Sequence, residues 1–306
     1  MELRTLKGDG LCLVTACIWG FAFVAQRVGM EYVGPFTFTG VRFALGSMSL
    51  VPLILLRGRE RQPGANPLSY GSLGWLVKGG GLAGVALFFG VSFQQVGLVY
   101  TTAGKAGFIT GLYVVIVPVL GVFFHQKTRR GTWLGAVLAA AGLYLLSVTG
   151  KFSISRGDFL ELIGAFFWAG HVLIIGWLSP RMDPLKLASF QFGICSLISL
   201  VTAIFFESVT WSGIMDAGIP ILYGGLCSVG VAYTLQVVAQ RHAKPAHAAI
   251  LLSLEAVFAA LGGWVVLGEI LSPRGITGCA LMLSGMLLSQ VSTHLPGEIV
   301  SKAPPS

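Results

Sequence analysis

Charged residues in this chain separate apolar blocks instead of alternating with apolar residues. Phe36–Leu56, Leu187–Phe206 and Ala217–Ala239 each run about 20 residues with no Asp, Glu, Lys or Arg except Arg42. An α-helix rises about 1.5 Å per residue, so about 20 residues cross a hydrocarbon core about 30 Å thick. The pattern predicts ten membrane-spanning helices, over 10–29, 35–56, 73–97, 102–124, 132–150, 158–178, 186–206, 217–239, 245–267 and 275–292. The fold class expected is an all-α integral membrane protein, since a helix satisfies its own backbone groups in lipid.

The chain also repeats itself. Residues 8–19 read GDGLCLVTACIW and residues 157–168 read GDFLELIGAFFW, with six identities that include Asp9/Asp158 and Trp19/Trp168. Gly135 and Gly142 in the fifth span echo Gly278 and Gly285 in the tenth. Two halves of five helices are expected, over 1–150 and 151–296, followed by a disordered tail over 297–306. Five is odd, so the second half enters the membrane from the opposite side. That gives an inverted repeat, the plan of many secondary transporters, with a substrate site near the midplane between the halves.

Composition narrows the class. The sequence is 55% hydrophobic and 10% charged, with mean hydropathy +0.81. Ten spans leave only short connections, so no separate soluble catalytic domain is expected. The net charge of +8 reads as membrane topology and gives no reason to expect a nucleic-acid partner. With the N-terminus inside, 14 of the 20 Lys and Arg fall at the inner side and five at the outer, and Arg42 lies within a span. Lys and Arg gather on cytoplasmic loops, so both termini are expected in the cytoplasm of a cell with the protein in its inner membrane. The longest loop, Arg57–Tyr70, carries Pro63, Gly64, Asn66 and Pro67 and reads as irregular. The five cysteines sit in apolar blocks without a Cys-x-x-Cys pair, so they read as packing residues and not as a disulfide or zinc framework.

Several stretches resemble the drug/metabolite transporter superfamily in its EamA-like branch. These are Ile18-Trp19-Gly20-Phe21-Ala22-Phe23-Val24, Arg42-Phe43, the fourth span TTAGKAGFITGLYVVIVPVLG from Thr101, and LSLEAVFAALGGWVVLGE from Leu252 to Glu269. The last is followed by Leu271-Ser272-Pro273-Arg274 and the glycine-spaced tenth span. The resemblance implies a ten-helix transporter of two inverted halves around a central cavity. The family commonly has Pro after the ninth-span Glu, whereas Ala256 follows Glu255 here.

Polar residues at membrane depth are the site candidates, because they are costly there unless they face a cavity or a partner. Glu255 lies about 15 Å into its span, and is a candidate to bind substrate or to carry a coupling proton. The alternative is a helix–helix hydrogen bond. His171 lies near the same depth, and imidazole titrates near neutral pH. It is a candidate for substrate binding and proton coupling, or a packing group. Trp19 and Trp168 occupy equivalent mid-depth positions, where they would stack on an organic substrate or pack symmetrically in the core. Tyr113, Gln94, Gln95, Tyr233 and Gln236 offer neutral hydrogen bonds to a substrate or between helices. Arg42, about 10 Å from the outer end, would meet an acid, a carbonyl or an anionic substrate. Lys105 is expected to snorkel to the interface, and Glu269 and Arg274 to serve a helix end or an ion pair.

No GxxxxGK[ST] loop, His-Glu-x-x-His or Gly-x-Ser-x-Gly is present. His125, His242, His247 and His294 are too scattered for metal ligation. No cofactor is expected. The expected partners are a small organic metabolite or drug, protons and membrane lipids. The reading is a secondary transporter and not an enzyme, with export and proton coupling as expectations. A membrane-embedded enzyme acting on lipid-like substrates and a non-transporting scaffold are the competing classes.

Overall fold

The computed structural model describes residues 2–58, 73–123, 130–147, 155–241 and 245–294. The tail 297–306, most of the loop Arg57–Tyr70, His125 and His242 lie outside the described residues. Within them the chain forms helices over all ten expected stretches. These are α1 (Glu2–Gly29), α2 (Pro35–Gly58), α3 (Leu73–Leu98), α4 (Ala103–Thr110 and Tyr113–Phe123), α5 (Arg130–Ser147), α6 (Arg156–Leu178), α7 (Pro184–Phe206), α8 (Gly218–Ala239), α9 (Pro245–Leu252 and Glu255–Leu267) and α10 (Pro273–His294). Seven of them are long and apolar enough to cross a membrane, and α5 and α9 contain shorter apolar segments. A short helix, Trp211–Asp216, precedes α8.

Local sequence sets the ends. The Ser155 hydroxyl accepts from the Asp158 amide at the start of α6, and the Asp183 carboxylate accepts from Leu185 and Lys186 ahead of Pro184. Such side-chain caps satisfy amides that have no partner in the first helical turn. The outer surface is apolar: Phe205, Phe206 and Ile219 are 76%, 78% and 83% exposed. A surface so rich in exposed large apolar side chains suits lipid and not water. The chain is an integral membrane protein.

The core combines branched aliphatic side chains such as Leu87, Val117, Ile175 and Leu187 with alanines and with aromatics such as Trp19, Phe43 and Trp168. The main pairings are α5 with α10, α2 with α7, α4 with α9, α3 with α6, α1 with α8, α1 with α9, α4 with α6, α2 with α8 and α3 with α7. Exchanging every helix for the one five places along leaves this set of pairings unchanged.

The crossing of α5 and α10 obeys the same exchange at atomic scale. A Cβ added at Gly142 would meet the Gly278 carbonyl and stand 2.8 Å from the Met282 amide nitrogen; one at Gly285 would meet the Gly135 carbonyl and stand 3.0 Å from the Ala139 amide nitrogen. Residues 142 and 285, 135 and 278, and 139 and 282 are the same three positions, 143 residues apart. Glycine here lets two backbones touch, which is how helices associate where burial from water supplies no drive.

Two helices are interrupted at mid-depth, and they are equivalent ones. In α4 the amides of Leu112, Val114 and Val115 bond the carbonyls of Ile109, Gly111 and Leu112. In α9 the amides of Leu254, Ala256 and Val257 bond those of Leu251, Ser253 and Leu254. Each is an i→i−3 bond, tighter than the α-helical i→i−4 bond, and the two sets are 142 residues apart. The interruption of α9 forms with Ala256, not the expected proline, after Glu255, and the Ala256 amide bonds the Ser253 carbonyl at 3.1 Å. The third span of each half is also altered: α3 has a π-helical turn at Leu76–Gly80 and α8 one at Tyr223–Tyr233. Such wider turns occur often at functional sites.

Candidate functional site

The two interruptions meet a central cavity. The first residue after the break in α4 is Tyr113, and the first after the break in α9 is Glu255. Both line the cavity. The break leaves Glu255 as the first residue of the helical segment Glu255–Leu267, with its side chain on the cavity wall.

The cavity wall brings together Trp19 (α1), Arg42 (α2), Gln94 (α3), Tyr113 (α4), Trp168 (α6), Tyr233 and Gln236 (α8) and Glu255 (α9). The free space inside this ring is about 20 Å³, room for about one water molecule. An organic ligand needs a pocket of roughly 300–1,000 Å³. In this conformation the chamber is closed around itself, and loading it requires helices to separate.

The aromatic wall is continuous. The Tyr233 ring lies 4.4 Å from Trp19 and 5.9 Å from Trp168, and the two indoles are 6.4 Å apart. Each indole N–H is satisfied within the bundle: Trp19 Nε1 donates to the Ser228 carbonyl on α8 at 3.3 Å, and Trp168 Nε1 donates to Gln94 Oε1 on α3 at 3.1 Å. The α1-to-α8 bond and the α6-to-α3 bond are related by the five-helix exchange. Pinned indoles present fixed ring faces to the chamber.

Two of the ten sequence candidates do not line the cavity. His171 is fully buried behind Trp168, edge-on at 5.8 Å, and its Nε2 lies 2.9 Å from Gln191 Oε1 on α7. Gln95 stands one layer back and accepts from Arg42 Nη2 at 3.4 Å. Helical rise places a residue at its depth, but its direction depends on the azimuth about the helix axis. The spans are apolar on most faces, so the sequence carries little azimuthal signal.

Four residues that the sequence reading did not single out belong to the site. Gln26 receives Arg42 Nη2 on its Oε1 at 3.3 Å and lines the cavity. The Ser228 carbonyl fixes Trp19. Thr110, at the break in α4, lines the cavity and donates to Glu161 Oε2 at 3.1 Å. Glu161 is fully buried on α6. Glu161 is only three residues into the expected sixth span, about 5 Å deep, so the depth argument that marks Glu255 did not reach it.

One end of the bundle is held by carboxylates. Glu269 Oε1 and Oε2 accept from the amides of Ala103 and Gly104 at 2.8 and 3.0 Å, the N-terminus of α4. Glu207 Oε1 accepts from the Phe36 amide at 2.7 Å, and its Oε2 accepts from the Thr37 amide at 2.7 Å and hydroxyl at 2.6 Å, the N-terminus of α2. Asp158 pairs with Lys105 Nζ at 3.2 Å and accepts from Thr101 Oγ1 at 2.9 Å. Lys105 therefore does not snorkel outward as expected; an acid at the start of α6 holds it. Glu269 takes the helix-end role, and Arg274 stacks on Tyr144 at 5.6 Å. Among the described residues no group of three or more His, Cys, Asp or Glu could hold a metal ion.

A family model described as the EamA-like transporter family matches the chain twice, over residues 6–148 and 155–290. An uncharacterized transporter of Archaeoglobus fulgidus is 34% identical over 292 residues, 94% of this chain and 86% of its own length. A Salmonella typhimurium protein named a probable amino-acid metabolite efflux pump is 26% identical over 297 residues, covering 92% of this chain and 95% of its own. A solved crystal structure with 19% identity shares the fold, with a TM-score of 0.72 over 95% of this chain and 97% of that one.

Proposed function

We propose that this chain, which belongs to the EamA-like transporter family, is a secondary transporter that exports small organic metabolites across the cytoplasmic membrane. Its ten helices work as two inverted five-helix halves, 1–150 and 151–296, with both termini in the cytoplasm. The halves rock about the central chamber and expose it to each side in turn. The single observation that carries this reading is the chamber itself, closed between equivalent breaks in α4 and α9 and lined from both halves. The pairing of helices under five-helix exchange, the matched glycines of α5 and α10 and the doubled family match support the inverted repeat. The excess of Lys and Arg on one set of loops supports the orientation. The efflux name of the Salmonella typhimurium relative supports the direction.

Glu255 is the coupling residue in this reading. It opens a helical segment, faces the chamber and is 4% exposed, so its charge state and the occupancy of the chamber are linked. His171 keeps a positioning role, bridging Trp168 to Gln191 away from the chamber.

The test is flux in proteoliposomes of purified protein under an imposed pH gradient. Glu255→Gln keeps the shape and removes the proton site. It is expected to fold normally, to lower gradient-driven flux at least tenfold and to flatten its dependence on pH. Gradient-driven flux with wild-type pH dependence in that variant would sink the proton role. Absence of flux for any organic solute tested in the wild type would sink the transporter reading for this chain.

A further inference from the structure

Arg42 is a full charge buried in the bundle without a counter-charge. It lies about 10 Å into α2 from Pro35, is 2% exposed and lines the chamber. Its Nη2 makes two long hydrogen bonds to neutral amide oxygens, Gln26 Oε1 at 3.3 Å and Gln95 Oε1 at 3.4 Å. The guanidinium carbon sits 5.5 Å from the Phe38 ring centroid and 5.1 Å from that of Phe43. Its Nε has no acceptor. Among the described residues the single ion pair is Lys105 with Asp158, so no carboxylate reaches Arg42.

A structural arginine in this setting would have its acid beside it, because a buried charge is costly until it is paired and hydrogen-bonded. Guanidinium stays protonated, so Arg42 cannot relieve the cost by neutralising itself. What it has is orientation. Two glutamines hold Nη2, two aromatic rings lie within 5.5 Å of the guanidinium carbon, and Nε is buried with no acceptor. An anionic oxygen on Nε–H would supply the missing acceptor and the missing counter-charge together.

We propose that the cargo supplies the missing anion: the substrates of this chamber are small organic carboxylates, and Arg42 is the residue that receives the carboxylate. This deepens the transporter reading above and rests on it. A carboxylate carries one negative charge against the one charge of Arg42, whereas a phosphate dianion would leave a second charge uncompensated among neutral neighbours. The substrate's apolar body lies on the wall of Trp19, Tyr233 and Trp168, whose adjacent rings suit an aromatic or planar group. Glu255, on α9, meets the other polar end.

The test uses the full chain in nanodiscs and quenching of its tryptophan fluorescence, since Trp19 and Trp168 wall the chamber. The probes form a matched set: 3-phenylpropionate, phenylalanine, phenylalaninamide and phenethylamine. The first two carry a carboxylate and the last two do not. Binding of the carboxylates at least tenfold tighter than the others is expected. Arg42→Gln is expected to lose that preference at least tenfold, and Arg42→Lys to lose part of it. Monodispersity and melting temperature are read for both variants, and Arg42→Lys keeps the test informative if Arg42→Gln fails to fold. Amine binding as tight as acid binding would overturn the proposal. So would wild-type carboxylate affinity in both variants, or no binding by any member of the set. Carboxylate binding through Arg42 without flux in proteoliposomes would leave this site standing and remove the transporter reading. Flux of phenethylamine alone would do the reverse.

Discussion

Replacing Glu269 by alanine is expected to open the chamber toward the end of the bundle that faces outside the cell in the proposed orientation. Glu269 reaches that position through its neighbours. Gly268 adopts φ 66°, a left-handed conformation that glycine takes without strain. The chain turns back there, and the Glu269 amide bonds the Gly263 carbonyl at 3.0 Å. Gly263 has no side chain, and a Cβ on it would occupy the space of the Glu269 carboxylate. The carboxylate then lies across the first amides of α4, where the helix dipole adds to two charge-assisted hydrogen bonds. Glu207 on α2 and Asp158 on Lys105 make the same kind of connection. In all three the acid comes from the second matched segment and the partner from the first.

A clamp between halves stabilises only the state in which the halves touch. Hydrogen bonds to charged groups contribute about 1.5–3 kcal/mol each, and water recovers part of this when Glu269, which is half-buried, lets go. A net loss of about 2 kcal/mol corresponds to a roughly 30-fold shift toward the open state. The measurement is the alkylation rate of a single cysteine facing the chamber, Ser228→Cys in a cysteine-free background, with a membrane-impermeant maleimide added from outside. Glu269→Ala should raise that rate about 30-fold, and Glu269→Gln should also raise it, because it keeps the shape and removes the charge. Gly263→Ala should act in the same direction by displacing the carboxylate. An unchanged rate in all three would mean that this contact fixes the fold and does not gate the chamber.

The contrast between what the sequence announced and what it concealed follows from the same physics. Helix positions were legible because a bilayer imposes one length on every span. Trp19 and Trp168 were legible because a repeat preserves their register, and Glu255 because a mid-membrane acid is costly unless it serves something. The clamp on α4 was concealed because its acid and its amides are 165 residues apart or more, and no local pattern pairs them. The break in α9 was concealed because its expected proline is alanine, and i→i−3 bonding leaves no mark in composition. Lys105 looked like a snorkelling residue because its fate depends on Asp158, a residue of the other half.

The second large effect lies away from the chamber, at the crossing of α5 and α10. Alanine at Gly142 or Gly285 adds one methyl group where the partner's backbone already stands. Neither backbone can step aside without separating helices that touch along their length. Overpacking in a close-packed interior costs about 1–3 kcal/mol per site. The two positions are 143 residues apart in sequence but about 10 Å apart along the crossing, since each meets glycine seven residues from the other's contact, so their effects should nearly add. Against a total stability of about 5–15 kcal/mol, the double variant is expected to lower the melting temperature steeply and to yield little monodisperse protein. Gly170→Ala is the control: a Cβ there meets nothing within 4 Å, and the same change of residue should be tolerated. The α5–α10 pair packs against α4 and α9, the two interrupted helices, and its Ala139 and Met282 share one core cluster with Val114 and Ala256, so it braces both breaks. If that brace is separable from the chamber, molecules of the single variants that do fold should keep the wild-type preference among carboxylate and amine probes. A single variant with unchanged stability would show that α5 and α10 do not depend on backbone contact. One that folds well but loses the preference would show that the brace sets the shape of the chamber.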